Sequence, residues 1–155
     1  MNMKRYFIEL FQYNLWANQR LLKVIAEAQV TDPYILKMMS HLVSAQIIWL
    51  HRIEGLPTSP FPIWEVYKLR EIESMVDESN TRWMNFFNNY KVETFEEVIH
   101  YQNSKNVDQE SKLRNIATHV INHSTHHRGQ VSSRLRQLDI VPPQLDFILF
   151  SREVQ

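Results

Sequence analysis

The sequence predicts an all-α fold, a four-helix bundle with crossover connections and a short hairpin before the last helix. Two observations carry this expectation. Only Gly55 and Gly129 are glycine among 155 residues, whereas all-β folds need many tight turns that use glycine for positive φ. Apolar residues also recur at three- and four-residue spacing over long stretches, which is the period of one α-helical face.

The first helix is expected over residues 4–28, with Phe7, Phe11, Leu15, Leu22 and Ile25 on one face and Leu10 and Leu21 beside them. Asn14 and Asn18 fall within that face, which is unusual for a plain core. The break TDP lets Asp32 cap the next helix, with Pro33 at its first position. That helix is expected over residues 33–54, carrying Leu36, Met39, Val43, Ile47 and Leu50 and stopping at Gly55. The LPTSPFP loop that follows is proline-rich, which deters any helix. A third helix is expected over residues 65–90, with Leu69, Ile72, Val76, Trp83, Phe86, Phe87 and Tyr90 on a helical period. Residues 98–102 and 107–110 read as two short strands joined by the turn-like NSKN. Ser111 is then the expected N-cap of a fourth helix over residues 112–138. The tail DIVPPQLDFILF breaks at Pro-Pro, and its apolar end is expected to pack back on the bundle. Helices of this size span roughly 30–40 Å. Four of them in residues 1–155 make one bundle domain. The second-to-third and third-to-fourth connections are long enough to cross it.

Composition narrows the function classes. Hydrophobic residues make up 44% and charged residues 22%, the balance of a globular chain. Seventeen basic and seventeen acidic side chains give a net charge of +0. There is no long basic run, so no nucleic-acid partner is expected. The absence of cysteine removes disulfides, thiolate metal sites and a cysteine nucleophile. No apolar stretch reaches signal-peptide length or the roughly 18 residues of a membrane span, so a cytoplasmic protein without a membrane partner is expected.

Four of the seven histidines fall in HVINHSTHHRGQ, residues 119–130. At about 100° per residue, Leu113, Ile116, Val120, Val131, Leu135 and Leu138 define the buried arc of the fourth helix. His127 falls inside that arc and His123 at its edge, while His119 and His126 lie toward the polar side. Histidines at i and i+4 stack on one helix face, the usual helical spacing for chelating one metal ion. Two ligands do not complete a site. On the second helix His41 sits among Met38, Ala45, Ile48 and Trp49, several residues inside the helix. His51 stands near the helix end and His100 in the hairpin, so His41 is the better third ligand. The competing reading is a set of hydrogen-bonded core histidines. Burying three imidazoles without partners would cost several kcal/mol, whereas a metal turns that cost into binding energy. Ser124 follows His123, so the glutamate base of an HExxH peptidase is missing. Inward ExxH pairs of di-iron bundles are missing as well.

HVINHSTHHRGQVSSRLRQLDIVPPQLDFI resembles the DinB-like (DinB/YfiT) family, whose pattern has a histidine pair within NHxxHHRGQ and then a proline-bearing segment. YNLWANQRLL, residues 13–22, resembles the family's first-helix signature, and HLVSAQIIWLHRIEG, residues 41–55, its second-helix motif. The resemblance implies a bundle with an unusual crossover order, commonly a homodimer. It implies a divalent metal, zinc or nickel, held by His41, His123 and His127. Characterised members include transferases that use low-molecular-weight thiols such as bacillithiol, and a mycothiol-dependent isomerase. Asp139 departs from the pattern, in which a glycine often follows the last helix, but aspartate tolerates a left-handed cap.

Three neutral ligands leave a coordination position for water or substrate, where structural zinc sites are normally closed by four. The expected function is therefore a metal-dependent enzyme on a small substrate, and the resemblance implies a thiol S-transferase of bacillithiol type. The alternatives are a metal-dependent hydrolase and a non-catalytic metal-binding stress-response module. Gly129 is expected to allow close helix packing, or else room beside the metal. Arg128 is read as structural, tying its helix to a neighbour, and Gln130 is open between that role and orienting a ligand. Asn14 and Asn18 either line a polar pocket near the metal or cap a buried polar group.

Overall fold

The structure, a computed structural model, describes residues 2–58, 62–91 and 95–154. It is predominantly helical. The long helices are α1 (Met3–Glu27), α2 (Pro33–Glu54), α3 (Leu69–Asn89) and α4 (Leu113–Gln137). A hairpin of β1 (Val98–Gln102) and β2 (Asp108–Lys112) precedes α4, and a short α5 (Phe147–Glu153) follows it. α1 and α2 stand across from one another, each flanked by α3 and α4. No helix among the described residues is long and apolar enough to cross a membrane.

Helix ends follow local chemistry. Asp32 accepts the N–H groups of Tyr34 and Ile35, both at 3.1 Å, which satisfies two orphan donors at the start of α2. Its other oxygen takes the Arg134 guanidinium at 2.8 Å, joining the last turn of α4 to the first turn of α2. Gly55 ends α2 at φ 67°, where a side chain would be strained. Asp139 adopts φ 58° just past α4, the left-handed conformation its side chain tolerates.

Three expectations need correction. α3 begins at Leu69 rather than Glu65. The preceding segment is tied down instead: the Tyr67 N–H donates to Ser40 Oγ at 3.0 Å, and the Glu71 carboxylate takes the Lys68 N–H at 2.8 Å. β2 runs one residue later at its start than expected and continues to Lys112, in antiparallel register with Val98 opposite Lys112. Ser111 lies in β2 and does not cap α4. The first donors of α4 are met by backbone, Leu113 N–H to Glu97 O at 2.8 Å and Arg114 N–H to Phe95 O at 3.0 Å. The tail packs back as expected but does so as a helix. Phe150 seats against Tyr13 and Ala17, and the Tyr13 hydroxyl donates to Leu145 O at 2.8 Å.

The core divides into two apolar clusters. One holds Leu21, Ile25, Met39, Ile72, Val131 and Leu135; the other holds Phe7, Phe11, Trp83, Phe87, Leu113 and Ile116. Each long helix places polar side chains between them. Arg128 Nη1 donates to Asn14 Oδ1 and, at 2.9 Å, to Asn18 Oδ1, while Nη2 reaches Thr125 Oγ1 at 2.9 Å. Asn14 Nδ2 donates to Gln46 Oε1 at 2.9 Å, and Gln46 Nε2 to Ser79 Oγ at 3.1 Å. Asn14 and Asn18 thus satisfy a buried cation rather than line a pocket. Arg128, only 2% exposed, ties α4 to α1.

Candidate metal centre

The packing of α2 on α4 sets His41 of α2 against His123 and His127 of α4. His41 Nε2 lies 3.2 Å from His123 Nε2, and His127 Nε2 lies 3.1 Å from the same atom. A tetrahedral shell of nitrogens about 2.0–2.1 Å from zinc would space them by about 3.3 Å, so one ion fits with little adjustment. His41 and His127 are buried and His123 is half-buried.

Hydrogen bonding on the far side of two rings decides which nitrogen faces inward. His41 Nδ1 stands 2.8 Å from Ile63 O, a pure acceptor, so Nδ1 carries the proton. His127 Nδ1 stands 2.7 Å from Gln130 Oε1 and is protonated for the same reason when the amide is so placed. Both Nε2 atoms then present lone pairs toward His123 Nε2, which has at most one proton to offer. At least one of the two close contacts is therefore lone pair against lone pair. A cation at the centre removes that repulsion, and the donor set fits a divalent ion. Burial lowers the pKa of His41 and of His127. At His123 burial and then the neighbouring imidazoles act together, pushing it down to about 3. The rings are therefore neutral near pH 7, as metal ligation requires.

One face of the site is covered. The Trp64 indole stacks on the His41 ring at 3.8 Å between centroids, 7° from parallel. Trp64 lies in the same segment that supplies the Ile63 carbonyl, so the tied-down stretch before α3 orients and shields one imidazole.

The other histidines stand outside this cluster. The His119 ring centroid is 5.5 Å from that of His123 and 5.2 Å from Trp49, and His126 is exposed. His51 Nδ1 lies 2.7 Å from Pro57 O, and its Nε2 lies 2.9 Å from Arg82 Nη1. His100 is exposed, 3.8 Å from Glu110. Both readings of Gly129 fail, because a Cβ built there meets nothing within 4 Å. Gln130 is resolved as the residue that orients His127. The Ile63 carbonyl and Trp64 carried no sequence signal, since a backbone acceptor has no residue identity and Trp64 belongs to no periodic pattern.

The histidines lie in the HLVSAQ and NHSTHHRGQ stretches, on helices whose order and lengths now stand. The sequence profile of the DinB family matches residues 1–154. The chain belongs to the DinB family. It is also 25% identical to "Protein DinB" of Bacillus subtilis (strain 168), over 96% of this chain and 95% of that protein. Membership of the DinB family covers the site and the scaffold together, since the match includes α2, α4 and the segment carrying Ile63 and Trp64.

Proposed function

We propose that His41, His123 and His127 hold one divalent metal, zinc or nickel, and that this DinB-family protein is a metal-dependent enzyme acting on a small substrate. The observation that carries this is the convergence of three Nε2 atoms with two of their tautomers set to point lone pairs inward. No fourth protein ligand joins them among the described residues. Such a centre keeps a position for an exogenous group. The reading extends to a low-molecular-weight thiol of bacillithiol type as that group, with S-transfer to an electrophile as the reaction.

A divalent ion, when bound, stabilises a thiolate over the thiol at neutral pH. The rest falls to this chain's own residues. His41, His123 and His127 bind as neutral donors and leave the ion its full positive charge, which favours an anionic sulfur. Ile63 O and Gln130 hold two imidazoles in register. Trp64 keeps water off the outer face of His41. Arg128 and its asparagine partners hold α4 in place on the opposite side.

The proposal extends to a cytoplasmic homodimer, for which the balanced net charge is the supporting observation on solubility. The experiment is metal analysis of tag-free protein, followed by turnover of a model electrophile with and without thiol. Thiol-dependent turnover that disappears with the metal supports the reading. Turnover with water alone would make the protein a hydrolase. Metal-dependent stability with no turnover would make it a binding module.

A further inference from the structure

A second group of side chains continues along the packed α2–α4 seam away from the histidines. On α2, Arg52 follows His41 by eleven positions, which returns it to the same helix face within about 20°. Its guanidinium lies 4.5 Å from the Trp49 ring and 5.2 Å from the Tyr101 ring of β1. Trp49 in turn meets His119 edge to face, and His119 precedes His123 by one helical turn. The path from the candidate ligands to Arg52 runs through His119 and Trp49, in steps of 5.5 Å from His123 to His119, 5.2 Å from His119 to Trp49 and 4.5 Å from Trp49 to the guanidinium.

Arg52 differs from every other arginine held off the open surface. Arg20, Arg82, Arg114 and Arg134 each hold a carboxylate. Arg128 holds two asparagines and a threonine. Among the described residues Arg52 has no oxygen acceptor at all, and its Nε is buried without a hydrogen-bond partner. Trp49 and Tyr101, whose ring centroids are 5.1 Å apart, pack against one side of the guanidinium and leave its terminal nitrogens without an oxygen acceptor, and such donors suit a carboxylate. A purely structural arginine would lose nothing by pairing with an acid, and a buried donor left unpaired costs free energy. Burial weakens its hold on the proton, but from the very high starting pKa of a guanidinium, which stays charged in proteins.

We propose that Arg52, held against Trp49 and Tyr101, is the specificity-determining residue that receives a carboxylate of the substrate whose other end reaches the histidine centre. This rests on the metal-site reading for the position of the reacting end, but not for the anion contact itself. The substrate class is a small molecule bearing a metal-binding group and a carboxylate several bonds apart.

Two measurements separate the two readings. In the first, metal-free protein is titrated with hexanoate and with hexanol, following the Arg52 Nε–H and Trp49 indole N–H resonances by heteronuclear NMR. Both resonances should move saturably with the acid and stay still with the alcohol. In the second, zinc-loaded protein is titrated calorimetrically with mercaptohexanoate and mercaptohexanol. The wild type should prefer the acid by about tenfold or more. Arg52→Met, which keeps the stem on the aromatic rings, should abolish the preference while leaving the alcohol's affinity unchanged. Arg52→Lys keeps the charge without the planar fork and should retain only part of it, so it decides the matter if the methionine variant fails to fold. If hexanoate moves Arg52 but neither thiol binds, the thiol reading falls and the anion site stands. If both thiols bind equally and hexanoate leaves Arg52 unmoved, the anion site falls and the metal reading stands.

Discussion

Gln130→Ala tests how the site is organised more sharply than removal of a ligand, because Gln130 touches no metal position. Its Oε1 accepts the His127 Nδ1 proton at 2.7 Å, and nothing else among the described residues holds that tautomer. Without it, the Nε2-protonated tautomer competes and places a proton where the metal must bind. The ring also gains freedom to rotate. Partners of this kind are worth about 10–100-fold in metal affinity, or about 1.4–2.7 kcal/mol. The assay is competition for zinc against a chelating dye at neutral pH, with tag-free protein. Metal-free stability should change by less than about 0.5 kcal/mol, because Gln130 is only half-buried on the helix surface. Gln130→Glu should bind at least as tightly as wild type, since a carboxylate accepts the same proton in a charge-assisted bond. Zinc affinity of Gln130→Ala within twofold of wild type would show that His127 does not present Nε2 for the stated reason.

Alanine at His41, His123 or His127 should each abolish stoichiometric metal retention, read by elemental analysis; full occupancy in any one of them would break the triad. The double variant His119→Ala/His126→Ala should keep affinity within a few-fold, because neither ring reaches the cluster. Gly129→Ala should stabilise the protein by about 1 kcal/mol in urea unfolding, since a helix-interior glycine is costly and its Cβ position is empty; destabilisation would mean that another surface packs there. The metal-free protein should lose stability in acid. The imidazoles are depressed in the folded state, so below about pH 6.5 the unfolded chain takes up protons that the folded one refuses. The loss should begin there and continue toward the His123 value of about 3, with zinc adding stability at neutral pH that fades over the same range. Urea midpoints that stay flat from neutral pH to mild acid would contradict this.

The parts legible in the sequence are those governed by periodicity and by end chemistry. α2 is bounded by Asp32 and Gly55 as those residues dictate, and helix wheels alone separated His123 and His127 from His119 and His126. The start of α3 was not legible, because Tyr67 is held by Ser40, a residue 27 positions earlier that only tertiary structure brings near. The α4 cap was missed for a related reason. Its donors are met by carbonyls of Phe95 and Glu97, and a backbone acceptor leaves no mark in residue identity. Asn14 and Asn18 were visible as anomalies on an apolar face, but their partner, Arg128, lies more than a hundred positions away.

The two sides of α4 explain how three close, uncharged imidazoles can be held together before any metal arrives. His123 and His127 face α2, and the next residue, Arg128, faces α1. Its three hydrogen bonds, two of them to asparagines almost fully buried, fix the rotation of α4 about its own axis at that turn. Asn14 passes the constraint to Gln46 on α2, the helix that carries His41 five positions earlier. The ligand-bearing helices are thus locked to each other through α1 by bonds that do not involve the metal. The lone-pair repulsion at the centre is borne by this polar layer and by the apolar clusters on either side. Binding of the proposed metal would then require little movement of the chain, so the free energy of the ion–imidazole bonds would be available as affinity rather than being consumed in ordering the site.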